Sequence, residues 1–276
     1  MSSGDTSTAT LVKLGAFALA LTVVTGGIWS VLLVINLRMT PAIPWAVAVM
    51  ALLLWLAWRA LRATPRRRRR LRATRVSGPV FAWALVAGLV SVGALTRLWI
   101  ILIELVHVKG NALPDFSRYP ITTVVLVIAM ASIVTAVAEE AGFRGYFQGA
   151  LESRFSAFAS ICCAALVMVP GHALTQGFAL TTIGFYLCVD IMLGTIAYLT
   201  QSIVPGIFVH VVGLVMFFAF IWPYDASRRF VPVEGPDAAF WVNVYQLVIA
   251  GVLALIAFRR LARITAPLRA VTRASD

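Results

Sequence analysis

Apolar runs of about twenty residues recur along this chain, and they constrain its fold more than any other feature. A membrane-spanning helix needs about 20 predominantly apolar residues. Eight segments meet or approach that requirement: 14–37, 42–61, 79–106, 120–148, 156–176, 178–200, 202–222 and 239–258. Of the 276 residues, 61% are hydrophobic and 12% charged, about half the charged share of a soluble domain. The expected class is all-α: a single polytopic membrane domain over residues 1–276, with about eight transmembrane helices. Met1 to Thr10 is polar, and the apolar run after it is too long for a cleaved signal peptide, so the first helix is expected to be retained.

Basic residues set the expected orientation. A loop over about 59–78 carries Arg59, Arg62, Arg66, Arg67, Arg68, Arg69, Arg70, Arg72 and Arg75, and the C-terminal tail carries Arg259, Arg260, Arg263, Arg269 and Arg273. Clusters of this kind stay on the cytoplasmic side, and eight crossings put both termini there, N-in and C-in. The formal net charge of +12 is thereby explained by topology and by anionic lipid headgroups. No basic-aromatic module points to nucleic acid. The expected location is the cell membrane, as a multi-pass protein, and the Ala- and Arg-rich composition suggests a bacterial source. Cys162, Cys163 and Cys188 lie in apolar stretches and read as small buried side chains, not as a disulfide framework. The segments near Lys109 to Tyr119 and Pro223 to Ala238 read as connectors, and no internal repeat of the transporter type is visible.

Against this apolar background a few polar residues stand out. Ile121 to Val137 carries no charge, and Glu139-Glu140-Ala141-Gly142-Phe143-Arg144 follows at once. Carboxylates inside a bilayer are costly and mark functional sites. His172 and His210 also fall in predicted spans, whereas His107 sits beside Lys109 at an outer helix end. Glu139 and His172 are equidistant from the turn near Arg154-Phe155-Ser156. At about 1.5 Å rise per residue both lie roughly 24 Å along their helices from it, and so at equal depth. His210 can complete a three-helix pocket. Glu140 and Arg144 are four apart and can pair along one face, and Glu139 is turned about 100° from Glu140. Glu139 therefore reads as the reactive carboxylate, with Glu140 and Arg144 as a supporting pair.

A carboxylate shielded from water can act as a general base, and a histidine can share the proton or stabilise an oxyanion. Glu139, His172 and His210 can also hold zinc with an open water position. From the residues alone, catalysis, ion passage and simple helix packing all stay open. Asp190, alone in the sixth predicted span, reads as a structural acid bonded to a hydroxyl. Arg97 and Glu104 share a face of the third span.

The pattern resembles the CPBP family of intramembrane proteases, which includes CAAX prenyl endopeptidases and bacterial Abi-type proteins. Glu139-Glu140-Ala141-Gly142-Phe143-Arg144 matches its EExxxR motif. Met168-Val169-Pro170-Gly171-His172 matches FxxxH except for Met168. His210 matches the third motif, but Leu214 stands where a polar residue is expected and can neither donate nor accept a hydrogen bond. The resemblance covers about 120–215. It implies an intramembrane metalloprotease or a metal-free glutamate peptidase that cleaves a peptide or membrane-protein substrate. Glu139 would activate water, and His172 and His210 would assist, bind zinc with Glu139, or hold the oxyanion. The competing readings are a catalytically degenerate Abi-like scaffold or immunity protein, motivated by Leu214, and a small ion-coupled transporter.

Overall fold

The computed structural model describes residues 7–106, 116–176, 179–221 and 235–275, and no strand occurs among them. The helices are α1 (Thr8–Met39), α2 (Trp45–Leu61), α3 (Pro65–Leu71), α4 (Gly78–Val106), α5 (Ile121–Glu139), α6 (Gln148–Glu152), α7 (Ala157–Gln176), α8 (Leu180–Thr200), α9 (Val204–Met216) and α10 (Ala238–Ser275). A π-helical stretch, Glu140–Phe147, joins α5 to α6, and a second, Phe217–Ile221, extends α9. His107, Lys109 and the connector from Pro223 to Glu234 lie outside the described residues.

Each predicted apolar segment falls on a helix, but the helices are unequal. By length and composition five bodies can cross a membrane: α1, α4, the run Ile121–Glu152, α8 and the first part of α10. A sixth arises if α2 and α3, bent by 112°, count as one span, whereas α7 and α9 are shorter apolar helices. Length thus supports five or six crossings where eight were expected.

Packing is driven by small and branched residues where helices meet. Val80, Ala84 and Val92 of α4 pack with Leu193 and Ile196 of α8, Val209 of α9 and Leu261 of α10. Trp29 of α1 meets Met50 of α2 and Val134 of α5. Ala18 of α1, Phe143 and Phe147 of the π-helical stretch and Met168 of α7 form another cluster. Outward faces are apolar too: Val24, Ile28 and Val31 of α1 and Val252, Leu255 and Ile256 of α10 are exposed, as befits helices whose solvent is lipid. The cysteines belong to such faces more than expected. Cys188 is exposed and Cys162 and Cys163 are half-buried.

The basic loop divides into two parts. On α3, capped by Thr64 and opened by Pro65, Arg66 to Arg69 are exposed. Arg72, in contrast, is buried and left-handed at φ 54°. Its guanidinium donates to Glu152 Oε1 at 3.1 Å and to the Ala197 carbonyl at 3.2 Å, and its own carbonyl accepts from the Ile203 amide at 3.1 Å. Arg72 is therefore a structural bolt, not a headgroup arginine. The same segment lies on the π-helical stretch so closely that a Cβ at Gly145 would come 2.7 Å from the Leu71 carbonyl oxygen. On α4, Arg97 donates to Asn243 of α10 at 3.3 Å.

Candidate active site

Five elements converge on one buried polar centre. Glu139 ends α5, Glu140 and Arg144 belong to the π-helical stretch, His172 comes from α7, Asp190 from α8 and His210 from α9. Glu140 is 0% exposed, Arg144 2%, Asp190 3% and Glu139 5%. These are isolated charges by sequence, and burial on this scale is tolerable only when they meet one another.

Arg144 is the hub. Its Nε lies 3.7 Å from Glu140 Oε1, and its Nη2 donates to Asp190 Oδ1. Each of these carboxylates reaches onward to a histidine. Glu140 Oε1 is 3.2 Å from His210 Nδ1, and Asp190 Oδ2 is 3.1 Å from His172 Nε2. Glu139 joins this network only at the longer range of the Arg144–Glu140 pair, with Oε2 at 3.7 Å from His210 Nε2, longer than a direct hydrogen bond.

Glu139 and Glu140 reach the same centre at the junction of α5 and the π-helical stretch. An α-helix would turn them about 100° apart. Both keep α-helical dihedrals, φ -70° and ψ -46° at Glu139 and φ -64° and ψ -41° at Glu140, and His210 reaches both because its two ring nitrogens face the two carboxylates, Nε2 towards Glu139 and Nδ1 towards Glu140. The expected approach of Glu140 to Arg144, four residues on, is present at 3.7 Å. Glu140 also holds a histidine, and it does so against Gly206, where a Cβ would lie 2.7 Å from Glu140 Oε2.

The pair expected at equal depth does meet. One atom each from Glu139, His172 and Asp190 lie within 4.8 Å of one another. In chemical type this donor set, buried and of mixed carboxylate and imidazole, fits a metal ion. Asp190 stands in it where His210 was expected. Asp190 is the residue that sequence reasoning undervalued: its partners are Arg144 and His172, not a hydroxyl. The signal was present, since Asp190 is the sole charged residue of α8, the same kind of isolated carboxylate that singled out Glu139.

A cavity of about 490 Å³ opens onto this centre, lined by Glu139, His172, Asp190 and His210 and otherwise mainly by apolar side chains from α1, α4, α5, α8 and α9. Met168 and Leu214 both line it, so the two departures from the motif pattern sit on its wall. Met168 fills apolar space and is buried at 1% exposure. Leu214, one turn after His210, presents only hydrocarbon.

Residues 121–217 match the family model described as Type II CAAX prenyl endopeptidase Rce1-like, consistent with the CPBP family. The matched stretch runs close to the 120–215 core and contains every polar side chain of the centre. No curated protein and no solved structure gives a significant match to the chain.

Proposed function

From the premise that residues 121–217 are an Rce1-like domain, whose family implies CAAX intramembrane protease activity, we propose that this protein is an intramembrane endopeptidase with Glu139 as the water-activating base. One observation carries the reading. Glu139, the carboxylate least engaged by Arg144, is brought beside histidines from two other helices at the wall of an apolar cavity.

In this mechanism a peptide or membrane-protein segment enters the cavity with its scissile carbonyl near Glu139. Glu139 takes a proton from water as the oxygen attacks the carbonyl carbon. His210, when protonated at both nitrogens, donates Nδ1–H to Glu140 and Nε2–H to the developing oxyanion. The proton held by Glu139 then passes to the departing amine. The metal-free version needs only these groups. A bound metal ion, zinc among the candidates, would be held by Glu139, His172 and Asp190 and would supply Lewis-acid polarisation. The Arg-rich face of α3 would lie at the cytoplasmic headgroups of a bacterial cell membrane, with both termini on that side.

The test is comparative peptidomics of membranes carrying wild-type or Glu139→Gln protein, with and without a chelator. Products that vanish with Glu139→Gln support the reading, and chelator sensitivity assigns the metal. Identical peptide profiles in the two membranes sink it. Leu214 favours a second reading, a non-catalytic relative, which predicts that Glu139→Gln leaves any cellular phenotype intact.

A further inference from the structure

Asp190 belongs to none of the three motifs, yet it is as buried as the groups that do, and both of its oxygens are committed. Arg144 already has Glu140 beside it, so charge balance at Arg144 does not by itself call for a second buried carboxylate, whose desolvation is costly. What distinguishes Asp190 is its other oxygen, 3.1 Å from His172 Nε2. One turn earlier on the same helix, Tyr186 stacks on the His172 ring with centroids 4.2 Å apart and planes 13° from parallel. Helix α8 thus grips His172 by its face and by its edge. Glu140 treats His210 in the parallel way, at 3.2 Å, and Arg144 ties the two carboxylates together.

We propose that Asp190 is a positioning residue of the peptidase site, holding His172 in one orientation and one tautomer, with Tyr186 as the second jaw of the clamp. An ionised carboxylate only accepts hydrogen bonds, so this contact makes Nε2 the proton-bearing nitrogen of the neutral ring and Nδ1 its lone-pair nitrogen. Carboxylates set behind metal-ligating histidines fix ring orientation and tautomer in this way, and removing them typically costs about 10–100-fold. The inference rests on the peptidase reading.

Its test uses the full-length protein in lipid nanodiscs and a substrate identified by the peptidomics above. Asp190→Asn retains an oxygen for Arg144 but turns an amide towards Nε2, favouring the wrong tautomer. The expected result is a kcat lower by about 10–100-fold, KM within about twofold, partial recovery in Asp190→Glu, and no added loss when Asp190→Asn is placed in a His172→Ala background. The protein has three histidines, so ring-nitrogen NMR of histidine-labelled samples gives a reading independent of turnover. Asp190→Asn should move the His172 signals and leave those of His210 in place. Should Asp190→Asn fail to assemble, Tyr186→Ala takes its place, with the same kcat loss and the same His172-confined NMR shift expected. Unchanged kcat, losses that multiply with His172→Ala, or unmoved His172 signals overturn the proposal. The positioning role belongs to the metal-free site, in which Asp190 is not a ligand, so a metal that copurifies with the wild type and is lost from Asp190→Asn overturns it. A wild type without turnover overturns the peptidase reading and this inference with it. A wild type that cleaves no better than Asp190→Asn overturns the inference alone.

Discussion

Oε1 of Glu140 lies 3.2 Å from Nδ1 of His210, so a side chain of the π-helical stretch orients a ring carried by α9. Glu139, one residue earlier, meets the other ring nitrogen at 3.7 Å. Adjacent glutamates thus differ in function by their partners. Glu139→Gln should lower kcat by about 10²–10⁴-fold, the range for loss of a general base. Glu140→Gln should lower it by about 10–100-fold through the orientation of His210. Steady-state kinetics on one substrate measures both, and equal losses would contradict the division of roles.

Arg144 is buried between two carboxylates. Arg144→Met leaves both without a cation, and breaking a buried pair in this way costs about 3–5 kcal/mol. Arg144→Lys should not restore the wild-type melting temperature, because an ammonium lacks the planar fork that reaches both partners. Glu139→Gln should melt at or above the wild-type temperature, since it removes a buried charge that is not one of the Arg144 ion pairs. Thermal unfolding in detergent micelles separates these cases.

Three glycines give a graded test of close approach. Gly145→Ala drives a Cβ to 2.7 Å from the backbone oxygen of Leu71 and should destabilise by about 1–3 kcal/mol. Gly206→Ala meets the tip of Glu140 at the same distance, and a side chain can move aside. Its expected effect is therefore mainly on kcat. Around Gly184 nothing lies within 4 Å, so Gly184→Ala should gain about 0.5–1 kcal/mol of helix stability.

The arginine run should separate into lipid-binding and structural members. Arg66→Gln with Arg69→Gln should reduce anionic phospholipid retained on the purified protein, at about 1 kcal/mol per charge, and leave the melting temperature unchanged. Arg72→Gln should do the reverse, because it loses Glu152 and the Ala197 carbonyl. Native mass spectrometry and thermal unfolding read the two effects.

Leu214 lines the cavity beside His210. Leu214→Asn puts a hydrogen-bond donor of similar size there. A donor aimed at an oxyanion is worth about 10²–10³-fold, and Leu214→Asn should raise kcat by at least about tenfold. A fall in kcat with unchanged folding would show that the wall needs its hydrocarbon.

Much of the site was legible in one dimension. Glu139, Glu140, Arg144, His172 and His210 were recognisable because charge is rare and costly in apolar helices, and the hairpin symmetry of Glu139 and His172 follows from constant helical rise. Less legible was the number of crossings, since α7 and α9 are apolar like the others and differ only in where their helices stop. The double role of Arg72 was also hidden. Within a run of identical side chains, burial depends on what lies opposite, here Glu152 and the α8–α9 turn.

Hydrophobic patterning and the scarcity of charge were enough to specify an all-helical membrane chain and to mark which polar residues matter, because both express the cost of transferring groups out of water. The partnerships were settled by the fold. Asp190 with His172, Glu140 with His210 and Arg144 between the two carboxylates join residues as much as 70 positions apart. Electrostatics and hydrogen bonding act across a few ångströms of space, so only the packing of α5, α7, α8 and α9 around a widened helical turn could assign each histidine its carboxylate and leave Glu139 facing the cavity.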